Sequence, residues 1–235
     1  MSEHDNKWSE YGETRLLSRN KLTFLHHRLM NEYFLDLVRD LDVDSRVLDV
    51  GCGEGLYLEL LRGLGFRNIS GIDPSDAMVS KALEKNLSVE KKYLQDVKEK
   101  EIYDVVVMID ILEHLDDPGA ALQKVNEILK KGGLLLMNMP VCDSLKLRLR
   151  RTLYKETRLQ QAKRWDETHV WGFTKKSVEE MLKERSFRVV KMQRISNSLP
   201  GIDMFKKQSK FINFLQSVTF FGLFGDLLTV TAKKE

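Results

Sequence analysis

The sequence predicts an α/β fold in which helices cover both faces of a mostly parallel sheet. Apolar, β-branched runs of strand length alternate along the chain with stretches of helical spacing. Strands joined through helices pair in parallel, because the helix carries the chain back across the sheet. The chain has 235 residues, 42% of them hydrophobic and 31% charged, which is typical of a globular protein. We therefore expect one domain, residues 1–235, around a seven-stranded sheet.

The elements follow one another in chain order. Residues 16–41 have helical spacing and predict a helical cap over residues 1–44. Thr174 is a candidate N-cap for a helix over residues 177–184. The leucines that predict a helix after the first strand are Leu56, Leu58, Leu60, Leu61 and Leu64. The predicted strands are residues 46–50, 68–72, 103–109, 134–139, 188–192 and 227–231.

Cysteine content and the first residues bear on the cellular compartment. Cys52 and Cys142 are the only cysteines, which excludes a disulfide-stapled secreted scaffold and favours a reducing cytoplasm. Residues 1–10 are polar and partly acidic, so they lack the basic start and apolar run of a secretory signal. We expect a cytoplasmic protein.

Charge divides the chain at Pro140. Residues 1–140 carry 18 Lys and Arg against 25 Asp and Glu, a net charge of −7, whereas residues 141–235 carry 20 against 10, a net charge of +10. The acidic part is a poor binder of polyanions. The basic part is suited to nucleic acid, anionic lipid or a phosphorylated substrate.

A glycine-rich turn follows the first predicted strand. Gly51, Gly53 and Gly55 lie between that strand and the leucine-rich helix. Glycines there allow close approach of a ligand and leave N–H groups free at the helix start, where a carboxylate or phosphate binds. Asp73 ends the next strand, 22 residues after Gly51. A carboxylate at that place can accept hydrogen bonds from both ribose hydroxyls of a nucleoside.

The spacing of this turn is G-x-G-x-G, one residue shorter before the third glycine than the nicotinamide fingerprint. Asp49 precedes it and would suit a ligand with an amino group. With these motifs the chain resembles the class I S-adenosylmethionine-dependent methyltransferases, and within them the group that includes the ubiquinone-biosynthesis O-methyltransferases. The resemblance covers residues 45–140 and extends through the strand of residues 103–109, the Leu-Glu-His string at 112–114 and Asp117-Pro118.

The resemblance implies a Rossmann-like sheet, S-adenosylmethionine as cofactor and S-adenosylhomocysteine as product. The glycine turn would hold the methionine part, Asp73 the ribose and Asp96 the adenine amino group, while the end of the fourth strand would line the sulfonium side. Arg28 is a further candidate for the cofactor carboxylate. The cofactor residues implied are Asp49, Gly51, Cys52, Gly53, Gly55, Asp73, Pro74, Ser75, Asp96, Ile109 and Asp110.

His114 is a candidate general base. It follows the fourth strand, where the carboxyl edge of the sheet opens onto the ligand crevice, and a neutral imidazole can take a proton from an acceptor hydroxyl. Alternatively, Glu113 and His114 only anchor the turn after the strand. A third alternative places Asp110, Glu113 and His114 on one helical face as ligands of a divalent metal. We predict no metal site.

Two segments that depart from the resemblance are predicted to form a lid over the acceptor side. The insertion of residues 141–168 has a basic helical face, for which a solvent-exposed surface is the alternative. The second insertion, residues 197–224, places lysines beside aromatic residues, for which a packed helix or a dimer contact is the alternative. Between them His169 is a second candidate catalytic residue, with Trp171 and Phe173 as an apolar wall. Residues 169–235 would complete the sheet.

The sequence therefore predicts a methyltransferase that modifies an oxygen of a small-molecule or lipid-linked acceptor of quinone, lipid or sugar type. Peripheral contact with a membrane is expected through the insertions, and specific binding to nucleic acid is not. Methylation at nitrogen or carbon of a soluble metabolite or RNA is the alternative within the class. Outside it stand a nicotinamide-dependent oxidoreductase and a non-catalytic cofactor-binding protein.

Overall fold

The computed structural model describes residue 34 and residues 38–143, 171–195 and 227–235. Arg28, His169 and most of the predicted cap lie outside these ranges. The same holds for nearly all of the two predicted insertions. Their predicted roles remain predictions.

A seven-stranded sheet forms the centre of the described structure. Its spatial order is β3-β2-β1-β4-β5-β7-β6, and all pairings from β3 to β5 are parallel. β7 is antiparallel to both of its neighbours. The predicted mostly parallel sheet is confirmed. The strands are β1 Val47–Val50, β2 Ile69–Asp73, β3 Val89–Lys91, β4 Tyr103–Ile109, β5 Leu129–Pro140, β6 Phe187–Ile195 and β7 Leu227–Lys234.

Four α-helices and two short 3-10 turns connect the described strands, and side chains cap three of the helices. The Ser75 hydroxyl accepts a hydrogen bond from the Met78 N–H, and Asp117 accepts one from Ala120. Thr174 and Ser177 form a reciprocal capping box, which confirms Thr174 as an N-cap. The helices are α1 Leu56–Gly63, α2 Asp76–Glu84, α3 Pro118–Ile128 and α4 Lys175–Lys183, and the 3-10 turns are Leu94–Asp96 and Leu112–His114.

The central strand β4 separates two apolar layers. Successive side chains of a strand point to opposite faces. Val105 and Val107 accordingly pack with Leu61 of α1 and with Phe34 and Val38, whereas Val106 packs in the larger cluster that contains α3 and α4. Helices therefore cover both faces of the sheet, as predicted.

β5 is longer than the sequence predicts. It begins at Leu129 rather than at residue 134, directly after α3. Tyr103 pairs with Leu129 and Val105 with Leu134, so a register shift accommodates residues 130–133. Gly132 has a φ of +78° there, a conformation that glycine adopts at no steric cost. Residues 130–133, Lys-Lys-Gly-Gly, interrupt the apolar pattern, but in the structure they form an irregular part of β5.

The strands that precede the glycine turn, Asp73 and residues 110–115 all end at one edge of the sheet. β1, β2, β4 and β5 all end at this carboxyl edge, because they are parallel. Pro140 and Ile195 both pair with Leu227, so β6 ends and β7 begins there too. The described residues on either side of residues 144–170 and 196–226 therefore all lie at or near the carboxyl edge.

Candidate functional site

The glycine turn at the end of β1 has backbone angles that favour glycine at three positions. Gly51, Gly53 and Gly55 have φ angles of +69°, +54° and +84°. A Cβ on Gly51 would lie 2.1 Å from the Ile111 Cδ1 atom, whereas one on Gly53 would meet nothing within 4 Å. The turn is thus closed toward the chain that follows β4 and open at Gly53, where a ligand can approach the backbone.

Asp73 connects the glycine turn to α2. Its Oδ2 accepts a hydrogen bond from the Gly53 N–H at 2.9 Å, and its Oδ1 accepts one from the Ser75 N–H at 2.9 Å. The side chain is 9% exposed. The carboxylate thus fixes two loops, and its contact with a ribose stays a prediction. Ser75 is buried as the cap of α2, and Pro74 is partly exposed between them.

Asp49 lies in β1, two residues before the glycine turn, and its carboxylate is buried. It is 1% exposed, and its Oδ2 has no hydrogen-bond partner in the described part of the chain. Burial and the nearby Asp73 carboxylate raise the pKa of Asp49. A buried carboxylate without a partner is costly, and a cationic ligand group relieves that cost. The predicted contact with an amino group fits this environment.

The Cys52 side chain packs rather than reacts. Burial, with Asp49 and Asp73 close by, raises the pKa of the thiol, so it stays protonated. A Cβ on Gly71 would lie 2.7 Å from the Cys52 Sγ, which explains the glycine in β2. The Cys52 N–H donates to the Ile72 carbonyl at 3.1 Å. The Cys52 carbonyl accepts from the Gly55 N–H at 2.9 Å, so Cys52 stabilises the turn through packing and two backbone bonds.

The remaining predicted cofactor residues lie in two different environments. Asp96 ends the first 3-10 turn with an exposed side chain. Ile109 and Asp110 are partly exposed at the end of β4. Asp110 has a φ of +54°, which is uncommon for a residue other than glycine. The sequence pattern did not predict this conformation.

Asn138 supports Asp110, and the sequence analysis missed it. Its side-chain Oδ1 accepts a hydrogen bond from the Asp110 N–H at 2.8 Å, and the residue is 1% exposed. It stands opposite Ile109 in the β4–β5 pairing. A single amide in the apolar run of β5 was the available signal, since buried polar groups are retained where they have partners.

The turn after β4 contradicts the helical face that the metal alternative assumed. Leu112–His114 is a 3-10 turn that follows a left-handed residue, so Asp110, Glu113 and His114 do not share a helical face. Within the described ranges, no three His, Cys, Asp or Glu side chains are grouped as metal ligands. Glu113 and His114 are 1% and 5% exposed. His114 is therefore held in a water-poor setting at the carboxyl edge.

Trp171, which follows the first predicted insertion, contacts the turn after β4. The Trp171 indole N–H donates to the Leu115 carbonyl at 2.8 Å, and its backbone N–H donates to the Glu113 carbonyl at 3.3 Å. Trp171 stays 37% exposed. Phe173 is 2% exposed in the main core and bridges Val141, so the prediction that it forms a pocket wall is wrong. Its apolar neighbours were not visible from the sequence.

A partly buried ion pair joins two other segments of this side. Arg194 of β6 contacts the Asp143 Oδ2 at 2.7 Å and donates to the Asp143 carbonyl at 3.2 Å. Asp143 also accepts from the Lys175 N–H at 3.4 Å, at the start of α4. One carboxylate thereby connects the end of β5, α4 and β6.

Comparisons with known proteins agree with this geometry. A family model described as a methyltransferase domain matches residues 23–192, well over half of the chain. The ubiquinone biosynthesis O-methyltransferase of Bradyrhizobium diazoefficiens is 33% identical over 102 residues, which are 40% of this chain and 39% of that protein. The chain thus spans about two fifths of the length of the curated relatives it matches.

Solved structures share the architecture. A S-adenosylmethionine-dependent methyltransferase from Thermotoga maritima has a TM-score of 0.66 at 19% identity, over 97% of this chain and 99% of that one. Magnesium protoporphyrin IX methyltransferase from Synechocystis PCC 6803, with bound S-adenosylhomocysteine, has a TM-score of 0.62 at 17% identity, over 90% and 84%. At these identities the similarity establishes the fold.

Proposed function

The chain belongs to the methyltransferase-domain family, and on that premise we propose that it transfers the methyl group of S-adenosylmethionine to an oxygen of a small-molecule or lipid-linked acceptor. Family membership confirms the predicted resemblance to the class I S-adenosylmethionine-dependent methyltransferases, with S-adenosylmethionine as cofactor. The observation that carries the cofactor part of the proposal is the buried Asp49 oxygen, which has no partner among the described residues and lies near Asp73, the carboxylate that accepts from the Gly53 N–H.

The residues of the glycine turn fit this cofactor. The Asp49 carboxylate would receive the ammonium group, Gly53 leaves space for close approach, and Asp73 has acceptor capacity for the ribose hydroxyls. When bound, the cofactor supplies an electrophilic methyl group on a positively charged sulfur. The protein's task is then to align the acceptor oxygen with that methyl group and to keep water out.

His114 is the proposed acceptor-side base. It follows β4 on the same turn as Asp110 and is 5% exposed, so a proton it takes from a hydroxyl is shielded from bulk water. A hydroxyl that loses its proton as the methyl group arrives is a stronger nucleophile. General-base catalysis of this kind contributes roughly 100-fold to 10,000-fold in rate.

Charge and placement support the acceptor class. Curated relatives that this chain matches are ubiquinone biosynthesis O-methyltransferases, whose name specifies methylation of an oxygen. Residues 141–235 carry a net charge of +10, which suits an anionic membrane surface. Among the described residues, no helix has the length and apolar character needed to cross a membrane. The positive charge of residues 141–235 supports peripheral access of the protein to a lipid-linked acceptor.

The test is transfer of label from methyl-labelled S-adenosylmethionine to a cell extract, followed by partition between organic and aqueous phases. Label in the organic phase supports a lipid-linked acceptor. Label in the aqueous phase overturns it in favour of a soluble metabolite or RNA. Asp73→Ala should abolish most transfer, whereas Asp76→Ala, a 74% exposed carboxylate three residues away, should preserve it.

A second variant tests the base. His114→Gln should slow label transfer about 100-fold or more while the affinity for S-adenosylhomocysteine changes less than about threefold. Equal transfer rates in His114→Gln and the unaltered protein would restrict His114 to anchoring the turn. The affinity measurement guards against a misfolded variant, because a disrupted turn would also disturb Ile111 beside Gly51.

A further inference from the structure

Trp171 bonds to the residues on both sides of His114. Its backbone N–H donates to the Glu113 carbonyl, and its indole N–H donates to the Leu115 carbonyl, at 3.3 and 2.8 Å. Trp171 lies 56 residues from Leu115 in the sequence. One side chain and its own backbone thus span the turn that holds the candidate base.

The chain that follows Trp171 is also held in place. Two residues later Phe173 is buried in the main core, where its carbonyl accepts a hydrogen bond from the Cys142 N–H at 2.7 Å. The segment that presents Trp171 is therefore fixed to the end of β5 and to the turn after β4. A residue held in this way loses little conformational freedom when a ligand covers it.

The exposed surface of Trp171 is unusual among the described residues. It is 37% exposed, and it is the one aromatic residue of the described ranges that is classed with the exposed large apolar side chains. Both N–H groups are already bonded to the protein, so the surface left for a ligand is the aromatic ring. Such a surface selects planar, π-bearing groups through stacking.

The turn places this ring in relation to the cofactor site. Ile111, on the same turn, fills the space next to Gly51, where a Cβ would be 2.1 Å from the Ile111 Cδ1 atom. Trp171 contacts the turn at Glu113 and Leu115. Residues 111–115 consequently contact the glycine turn through Ile111 and Trp171 through Glu113 and Leu115, and His114 stands within that stretch.

We propose that Trp171 is a positioning and specificity residue for a planar aromatic acceptor. Its two N–H groups hold the turn around His114, and its ring stacks on the acceptor ring. The proposal rests on the proposed function, since it assigns the acceptor to the turn that carries His114 and whose Ile111 fills the space next to Gly51. It excludes aliphatic sugars and saturated lipids as the group that is methylated.

The first experiment uses tryptophan emission. The sequence has three tryptophans, so Trp8→Phe with Trp165→Phe leaves Trp171 as the sole emitter. In the presence of saturating S-adenosylhomocysteine, we expect 3,4-dihydroxybenzoate to quench the emission saturably, after correction with a free tryptophan amide. Cyclohexane-1,2-diol, a diol without a π system, should not. Equal responses to the two compounds, or none, would overturn the stacking role.

Two variants separate the stacking role from the positioning role. Trp171→Phe keeps a ring and removes the indole donor, so the rate of label transfer should fall roughly threefold to tenfold. Its affinity for dihydroxybenzoate should stay within about twofold. Trp171→Leu removes both features, and the affinity should fall roughly threefold to tenfold as well.

The outcomes distinguish this inference from the proposed function. Unchanged transfer in Trp171→Phe overturns the positioning role, and unchanged dihydroxybenzoate affinity in Trp171→Leu overturns the stacking role. The affinity for S-adenosylhomocysteine should be unaltered in both variants. If the unaltered protein transfers no label to any extract, the proposed function fails, while the emission experiment still decides whether Trp171 binds an aromatic ring.

Discussion

The two sides of the carboxyl edge are built in different ways. On the cofactor side, the glycine turn, Asp73 and Ser75 lie within 25 residues of one another and are linked through backbone N–H groups and one carboxylate. On the proposed acceptor side, the contacts join residues far apart in sequence, such as Trp171 with Leu115 and Arg194 with Asp143. A site built from neighbouring residues is recognisable as a sequence motif, whereas a site built from side chains distant in sequence is not.

The largest effect should come from closing the cofactor side. Gly51→Ala places a Cβ 2.1 Å from the Ile111 side chain and imposes a φ of +69° on alanine. Strain and overlap together should lower the free energy of unfolding by about 2 to 4 kcal/mol in urea titrations. Gly63→Ala is the control, because its Cβ would meet nothing within 4 Å at the end of α1. Equal stability of the two variants would show that Gly51 is not conformationally required.

Asp73→Ala should affect ligand binding next most strongly. Loss of charge-assisted hydrogen bonds should weaken S-adenosylhomocysteine binding by about 1.5 to 3 kcal/mol. Calorimetric titration measures this, with Asp76→Ala as the matched control. Unchanged affinity in Asp73→Ala would remove the ribose assignment and leave Asp73 as a connector between Gly53 and Ser75.

Asn138→Leu tests whether the two sides share a support. It leaves the Asp110 N–H without its acceptor, which should lower the free energy of unfolding by about 1 to 3 kcal/mol. Addition of Asp110→Gly should recover part of the loss from Asn138→Leu, since glycine adopts positive φ without support. Strict additivity of the two substitutions would mean that Asn138 does not hold this conformation.

A smaller effect with a defined pH dependence is expected at Asp49. Burial and Asp73 raise its pKa in the folded protein above the unfolded value, so the folded state binds the proton more tightly. Protonation of Asp49 therefore stabilises the folded protein. This contribution is complete at pH values below the pKa of Asp49 in the unfolded chain, and it is lost as the pH rises through the pKa in the folded protein. Asp49→Asn should therefore be more stable than the unaltered protein at neutral pH, with a gain that shrinks toward acid pH. A gain independent of pH would contradict this account.

The smallest effect should lie on the acceptor side. Arg194→Met breaks a pair whose side chains are 16% and 29% exposed, and the loss of unfolding free energy should be about 1 kcal/mol. The affinity for S-adenosylhomocysteine should not change. A weaker affinity would show that the two sides of the edge are coupled through the end of β5.

The sequence was informative where chemistry constrains neighbouring residues. Gly51, Gly53 and Gly55 required positive φ, and the structure has it. The alternation of strands and helices predicted the sheet, because each strand of β1 to β5 is connected locally to the next. The third strand and the start of β5 were less visible, since a three-residue strand and a glycine-interrupted strand have almost no periodicity.

Other features depended on contacts that no local pattern contains. Asn138 is explained by Asp110, 28 residues earlier, and the burial of Phe173 by Val141. The metal alternative assumed a helical face, but the positive φ of Asp110 and a 3-10 turn altered the directions of the side chains. These features follow from tertiary packing, which overrides local spacing.

The place of β7 in the sheet affects the order in which the molecule can assemble. β7 follows β6 in the chain but lies between β5 and β6, and within the described residues β7 is the strand that pairs with β6. On a ribosome, β6 is therefore synthesised before the strand to which it must pair. Until β7 is released, the five parallel strands can associate while the backbone donors and acceptors of β6 stay open to other chains.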